Sequence, residues 1–284
     1  MKFSRNESLS LSQFTSILSQ KPWTPFLLFL GLAAGNWFFE IWKWHSLANT
    51  LERLSFGEAT KQSLAAFTVS LATPNRIGEY GAKAYFFERK KRKRVLLLTL
   101  YSNLNQMFVT LFVGIIGLAA LFRWEFISFS LTKILLSLIG LMGLVTAGYL
   151  LKERELLLKG LTFGNIMRYY KSFPISVKLK TLLFSVLRYS IFGSLFFVML
   201  NYFNAALDIR TAMPLIFVMY LFVSIIPSFL ILDVIIRGGV AIWLFSLVGV
   251  DEITVVCAVM TSWLFNFVVP ALWGSPYVLT YKSS

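Results

Sequence analysis

One short stretch, "SLATPNRIGEYGAKAYFF" at residues 70–87, places charged residues and helix breakers directly after an apolar run. Arg76 and Glu79 are three residues apart, and Pro74 and Gly78 lie on either side of the arginine. A guanidinium group binds phosphate or carboxylate through two parallel hydrogen bonds. A carboxylate nearby would bind a cationic group or hold the arginine in place. The stretch therefore predicts a site that recognises a charged ligand.

A second stretch within residues 212–250 has a similar composition. Pro227 precedes Asp233 and Arg237, and the glycines 238 and 239 follow. Charged residues at bilayer depth are costly unless paired or hydrated, so they tend to line cavities. Broken helices at corresponding places in two halves of a chain favour a transport site between them. The alternative is that both charge pairs are structural and hold helix hairpins together, and a pair that shapes a cavity can also line it.

Polar residues within an apolar run at 95–122 add to this set, because "YSNLNQ" interrupts the run. The predicted cavity residues are Asn75, Arg76, Glu79, Lys83, Asn105, Gln106, Asp233 and Arg237. The predicted helix breaks are Pro74, Gly78, Pro227, Gly238 and Gly239.

The composition decides the class of protein. The chain is 57% hydrophobic and 14% charged, with a mean hydropathy of +0.71, and several apolar runs approach the ~20 residues that cross a bilayer. We expect an all-α, polytopic transmembrane helix bundle with about six full spans. Residues 26–281 would form a single transmembrane domain, after a polar, Ser-rich segment at 1–25 that could lie in the interface. Full spans are expected near 26–44, 95–122, 131–151, 181–203 and 253–273, with a further run that begins at 212.

Two regions do not fit full spans. Residues 55–73 are too polar, and "VAIWLFSLVGV" at 240–250 is too short to cross a membrane at ~1.5 Å per residue. We therefore expect broken or re-entrant half-helices near 55–87 and 212–250.

The basic residues predict the orientation. The net charge is +14, and much of it lies in the run "ERKKRKR" at 88–94 and in the segment 152–180. The positive-inside rule places the loops 83–94 and 152–180 in the cytoplasm of a bacterial inner membrane, with short loops 123–130 and 204–211 on the far side. This explains the charge better than nucleic-acid binding does. Lys83 and the 88–94 run would also attract anionic lipid.

The sequence shows no pattern typical of catalysis. It contains one cysteine, Cys257, one histidine, His45, and no nucleotide-binding or hydrolase motif. We therefore expect no metal, no cofactor and no enzymatic activity.

The stretch "LATPNRIGEYGAKAYFF" resembles the Pro-x-Arg-x-Gly-Glu motif of the lysylphosphatidylglycerol synthase transmembrane region, a family of flippase-like membrane proteins. The later "IPSFLILDVIIRGGVAIWLFSLVGV" is similar to the family's second, glycine-rich motif, and "FFEIWKWHSL" to the end of an early helix. The chain departs from the pattern where Gly238 follows Arg237 and where Asn105 and Gln106 replace a frequent Asp-Arg pair. We expect neither the family's usual first helix nor its aminoacyl-transferase domain here.

The resemblance implies an integral membrane, flippase-like protein that binds or translocates a lipid or lipid-linked anion through a polar cavity. Its partners would be the membrane and a phospholipid or other anionic lipid. The alternative is a non-transporting scaffold or subunit of a cell-envelope lipid or polysaccharide enzyme complex. An envelope enzyme or a second copy of the chain stays open as a protein partner.

Overall fold

The computed structural model describes residues 22–123, 163–226 and 231–279, and within these ranges the chain is helical with no strand. The helices are α1 (Pro25–Ala48), α2 (Phe56–Leu71), α3 (Gly78–Tyr85), α4 (Arg92–Arg123), α5 (Phe163–Lys171), α6 (Ile175–Tyr202), α7 (Ile209–Ile225), α8 (Ile231–Ser246), α9 (Glu252–Trp263) and α10 (Val269–Leu279). A 3-10 turn, Pro74–Arg76, joins α2 to α3, and a π-helical segment, Leu264–Val268, joins α9 to α10.

Four helices in the described ranges are long and apolar enough to cross a membrane. They are α1, α4, α6 and the continuous run Glu252–Leu279. The shortest has 24 residues, which corresponds to about 36 Å at ~1.5 Å per residue and exceeds a hydrocarbon core of ~30 Å. The predicted helical membrane bundle is confirmed, while the predicted span 131–151 and the segment 1–21 lie outside the described residues.

The first hairpin, α2 and α3, enters and leaves the bundle at the same end. A capping box at Ser55 and Glu58 fixes the start of α2. Glu52, before α2, forms an ion pair with Lys91, after α3. The two helices therefore form a re-entrant pair, as predicted near residues 55–87, and its turn at Pro74–Arg76 lies inside the bundle.

The second hairpin, α7 and α8, begins and ends at the opposite end. The Tyr170 hydroxyl donates to the Leu97 carbonyl at 3.1 Å, which places α5 beside the start of α4. From there α6 crosses to the other end, where the Thr254 hydroxyl donates to the Phe203 carbonyl at 3.1 Å. Both α7 and α8 attach at this end, so the two hairpins point towards each other.

Gly238 and Gly239 do not break a helix, which corrects the prediction. Both lie inside α8, and "VAIWLFSLVGV" begins in the second half of that helix rather than forming a separate short piece. A glycine in a helix costs only about 1 kcal/mol relative to alanine, which the surrounding apolar sequence overcomes. Pro227 lies outside the described residues.

Candidate functional site

Polar side chains lie at the middle of the long spans. Asn36 on α1, Arg188 on α6 and Asn266 in the run Glu252–Leu279 are each within one residue of their helix midpoint. Gln106 on α4 is within two residues of its midpoint. Because the spans exceed the thickness of the hydrocarbon core, these positions lie near the bilayer midplane.

These residues surround a cavity of about 480 Å³. Three arginines and three carboxylates line it, together with amides and aromatic rings. The ionisable lining residues are Arg76, Arg188, Arg237, Glu40, Glu79 and Asp233. They come from α1, α6 and both hairpins, so the fold brings together residues far apart in the chain.

A hydrogen-bonded network joins α1 to α6. The Glu40 carboxylate accepts from Arg188 at 2.7 Å and from the Lys43 ammonium at 2.9 Å. Arg188 also donates through Nε to the Asn36 Oδ1 atom at 3.0 Å, and Asn36 donates to Asn266 Oδ1 at 3.0 Å. Lys43 is 0% exposed, so its buried positive charge is stabilised by Glu40 and by a 3.5 Å contact with the side-chain oxygen of Gln106.

The tip of the first hairpin carries Arg76 in a strained backbone conformation. Its φ of 56° lies in the left-handed region, which non-glycine residues rarely adopt outside functional or tightly constrained sites. The turn is fixed by the Gly78 amide, which donates to the Thr73 hydroxyl at 2.8 Å. A Cβ atom at position 78 would lie 3.0 Å from the Val69 carbonyl oxygen, so the close approach requires glycine.

Among the described residues, Arg76 has no hydrogen-bond or ion-pair partner. Its guanidinium instead lies over the Phe267 ring, 4.7 Å from the centroid, and 5.6 Å from that of Phe67. In the second hairpin, Arg237 pairs with Asp233 at 3.2 Å and lies 5.3 Å from the Phe267 centroid. One aromatic ring therefore contacts a guanidinium from each hairpin.

Glu79 faces the cavity but is already paired. It accepts from the Lys83 ammonium at 2.7 Å, and Lys83 also lies 4.4 Å from the centre of the Trp44 ring. The second Glu79 oxygen receives only a long contact of 3.5 Å from the Asn103 amide. Lys83 is 1% exposed and lies behind Glu79, so it is not part of the lining.

Of the two residues predicted on α4, Gln106 lies on the helix face that lines the cavity and Asn105 does not. Asn103, Gln106, Met107 and Thr110 line the cavity at i, i+3, i+4 and i+7. Asn105 is off this face, and its amide donates to the Tyr101 carbonyl of its own helix at 2.9 Å. The prediction of Asn105 in the lining is therefore wrong. Of the other predicted cavity residues, Arg76, Glu79, Gln106, Asp233 and Arg237 line it, and the Asn75 side chain lies outside what the structure describes.

Sequence reasoning missed three cavity residues, Asn36, Arg188 and Asn266, and did not predict Glu40 in the cavity either. A signal was present, since each of the three missed residues is a polar side chain at the centre of an apolar run. Among the described residues, no group of three His, Cys, Asp or Glu side chains could hold a metal ion.

The fold and the cavity define a polytopic helical membrane protein with a charged site near the midplane and two opposed hairpins. The chain belongs to the family of the lysylphosphatidylglycerol synthase transmembrane region, whose family model matches residues 7–274. This confirms the resemblance read from the motif at Arg76 and Glu79. No curated protein and no solved structure matches the chain. The family match covers a transmembrane region and no catalytic domain.

Proposed function

We propose that the protein binds the anionic headgroup of a phospholipid or lipid-linked anion in the cavity and moves it between the two leaflets. The family supports a membrane protein of lipid metabolism or flippase type. The headgroup phosphate is the ligand group, and it is held chiefly by Arg76 at the turn of the first hairpin and by Arg237 on α8 of the second.

The observation that carries this proposal is an excess of positive charge around the cavity. Its three lining arginines and the buried lysines 43 and 83 face three carboxylates. Glu40 pairs with two cations, Glu79 pairs with Lys83, and Asp233 pairs with Arg237. Among the described residues, no carboxylate is in hydrogen-bond contact with Arg76. An unbalanced charge near the bilayer midplane is unfavourable, so an anionic ligand would stabilise this arrangement.

The size and walls of the cavity fit a headgroup. A volume of about 480 Å³ lies within the range of about 300–1,000 Å³ that small-molecule sites occupy. The wall combines charged and amide side chains with aromatic and aliphatic ones. The charged and amide part suits the phosphate and its polar substituent and is a poor neighbour for acyl chains, which would stay outside the cavity.

The two hairpins supply a route to each leaflet. The first enters from the end that carries the 88–94 basic run, and the second enters from the other end. One arginine from each hairpin, Arg76 and Arg237, contacts the Phe267 ring. A site near the midplane, with one broken element towards each face, is the arrangement used for alternating access in transporters. Small movements of one hairpin at a time would expose the phosphate site to one leaflet and then to the other.

The test is a headgroup-accessibility assay in liposomes with fluorescent phosphatidylglycerol and a fluorescent neutral lipid. We expect the wild type to speed movement of the anionic lipid, and Arg76→Ala to abolish that acceleration because the unpaired cation is lost. Glu79→Gln should also reduce the rate, since it releases Lys83 next to the site. Arg123→Ala and Glu252→Gln are matched controls that make the same changes at exposed positions outside the lining.

Unchanged rates in Arg76→Ala and Glu79→Gln, with normal folding, would contradict the proposal. So would the absence of any flipping by the wild type. Either outcome would favour a non-transporting scaffold, in which the cavity residues tolerate substitution as long as the bundle folds.

A further inference from the structure

The cavity reaches the protein surface along one edge. Among the lining residues, four are exposed, namely Met107 on α4 and residues 224–226 at the end of α7. Met107 is 47% exposed, Ile225 63% and Ile226 40%. The other described lining residues are buried or half-buried. Within the described ranges, the exposed part of the lining therefore lies at the boundary between α4 and α7.

The depth of this edge indicates that it faces acyl chains. Met107 lies within one residue of the middle of α4. At ~1.5 Å per residue, it is about 23 Å from either end of the helix. The hydrocarbon core is only ~30 Å thick, so a residue at this position lies well away from both aqueous boundaries.

A tight helix contact closes the boundary on one side of the opening. A Cβ atom at Gly114 would lie 2.7 Å from the Leu221 Cβ atom, and one at Gly117 would lie 2.8 Å from the Phe217 Cβ atom. The two helices therefore touch backbone to side chain along the half of α4 that leads to Arg123. The cavity opens on the other side of this contact, at Met107 and Ile225.

We propose that this edge, formed by Met107, Ser224, Ile225 and Ile226, is a lateral slot for the acyl chains of the lipid whose headgroup occupies the cavity. The inference rests on the proposed function. The slot joins apolar, lipid-facing side chains directly to the wall that carries Arg76 and Arg237. A diacyl lipid can then place its phosphate in the cavity while its chains remain in the hydrocarbon. Methionine suits such a slot because its flexible side chain adapts to chains of different shape.

The slot is tested by selective fluorescence quenching. A single cysteine is introduced as Met107→Cys in a Cys257→Ala background and labelled with bimane, and Ile115→Cys serves as the control. Ile115 is also exposed on α4, at 61%, but does not line the cavity. The labelled proteins are placed in liposomes of phosphatidylcholine that contain a small fraction of doxyl-labelled phosphatidylglycerol or doxyl-labelled phosphatidylcholine, with the quencher at mid-chain.

We expect the label at 107 to be quenched several-fold more strongly by the anionic lipid than by the neutral one, and the label at 115 to show no preference. Adding Arg76→Ala should remove the preference, since the headgroup is then no longer held. Equal quenching at 107 by both lipids would overturn the slot. A preference at 107 that survives Arg76→Ala would also overturn it, because the chain would not belong to a lipid bound in the cavity.

The headgroup-accessibility assay on the same liposomes separates the two ideas. Movement of phosphatidylglycerol that depends on Arg76, without a quenching preference at 107, refutes the slot and leaves the proposed function standing. If neither signal depends on Arg76, the proposed function fails together with the slot. Gel filtration of each labelled variant verifies that it is folded before either measurement.

Discussion

Replacing Glu40 with glutamine would leave two cations without their carboxylate in the interior of the bundle. Glu40 accepts from Lys43 at 2.9 Å and from Arg188 at 2.7 Å. Arg188 is partly exposed to the cavity and keeps its contact with Asn36 at 3.0 Å. Lys43 is 0% exposed, and besides a hydrogen bond to the uncharged replacement side chain it keeps its 3.5 Å contact with Gln106. Most of the loss in stability should therefore come from Lys43.

Removing one partner of a buried ion pair typically costs about 3–5 kcal/mol, because the remaining charge is uncompensated. We expect Glu40→Gln to lie near the lower end, at about 3 kcal/mol, since the glutamine oxygen still accepts one hydrogen bond from Lys43. At roughly 2–4 °C per kcal/mol for a chain of this size class, the melting temperature should fall by about 6–12 °C. The measurement is thermal unfolding of the purified protein in detergent, and Glu252→Gln is the exposed control.

The double variant Glu40→Gln with Lys43→Met provides the sharper test. It removes the stranded ammonium and keeps a side chain of similar length, so we expect it to be more stable than Glu40→Gln alone by about 1–2 kcal/mol. If the two substitutions were instead additive, the proposed dependence of Lys43 on Glu40 would be refuted. A fall of less than about 2 °C for Glu40→Gln, well below the range for an uncompensated buried charge, would refute the argument as well.

Two further predictions concern α2 of the first hairpin. Gly274→Ala, on the neighbouring α10, should destabilise the protein by more than 1 kcal/mol, because a Cβ atom there would lie 2.3 Å from the Leu64 carbonyl oxygen of α2. Gly31→Ala is the control: its Cβ atom would meet nothing within 4 Å, so thermal unfolding should show that it is tolerated. Ser55→Ala should cost about 1 kcal/mol through loss of the N-cap of α2, measured in the same way. Hydrogen bonds from Ser55 lower the pKa of Glu58 in the folded protein. The stability that these hydrogen bonds contribute should therefore be present above the usual carboxylate pKa and be lost as the pH falls through the pKa of folded Glu58. A melting-temperature difference between wild type and Ser55→Ala that did not shrink in acid would contradict this prediction.

Hydropathy and helix breakers were enough to predict the four spans in the described ranges and the first hairpin. Residues 55–73 are too polar for a span, and the proline at 74 ends the run, so a half-helix was the consistent interpretation. In α8 the same reasoning was wrong, because the glycines 238 and 239 were given the weight of a proline. A glycine weakens a helix slightly, whereas a proline removes a hydrogen bond and clashes with the preceding turn.

The lining of the cavity could be predicted only in part, because it depends on helix rotation and on long-range pairing. Sequence spacing alone did not show that Asn103 faces the cavity while Asn105 faces away. The bond between Glu40 and Arg188 joins residues 148 positions apart, and no local pattern relates them. The sequence does show that polar side chains occur at the centres of apolar runs. In a bilayer such side chains are stable only when they form hydrogen bonds or ion pairs with one another or with a ligand.

The arrangement of charges explains why Arg76 is the residue that distinguishes a binding site from a structural pair. Two of the carboxylates, Glu79 and Asp233, each pair with a cation four residues away on their own helix, so those pairs form within one element. Such pairs form without a ligand, so Arg237 would bind the phosphate while it is also paired with Asp233. Arg76 lies at a turn, outside regular helix. Among the described residues no carboxylate lies within hydrogen-bond distance of it, and its guanidinium contacts aromatic rings instead. A phosphate that reaches the cavity would complete the hydrogen bonds of this arginine.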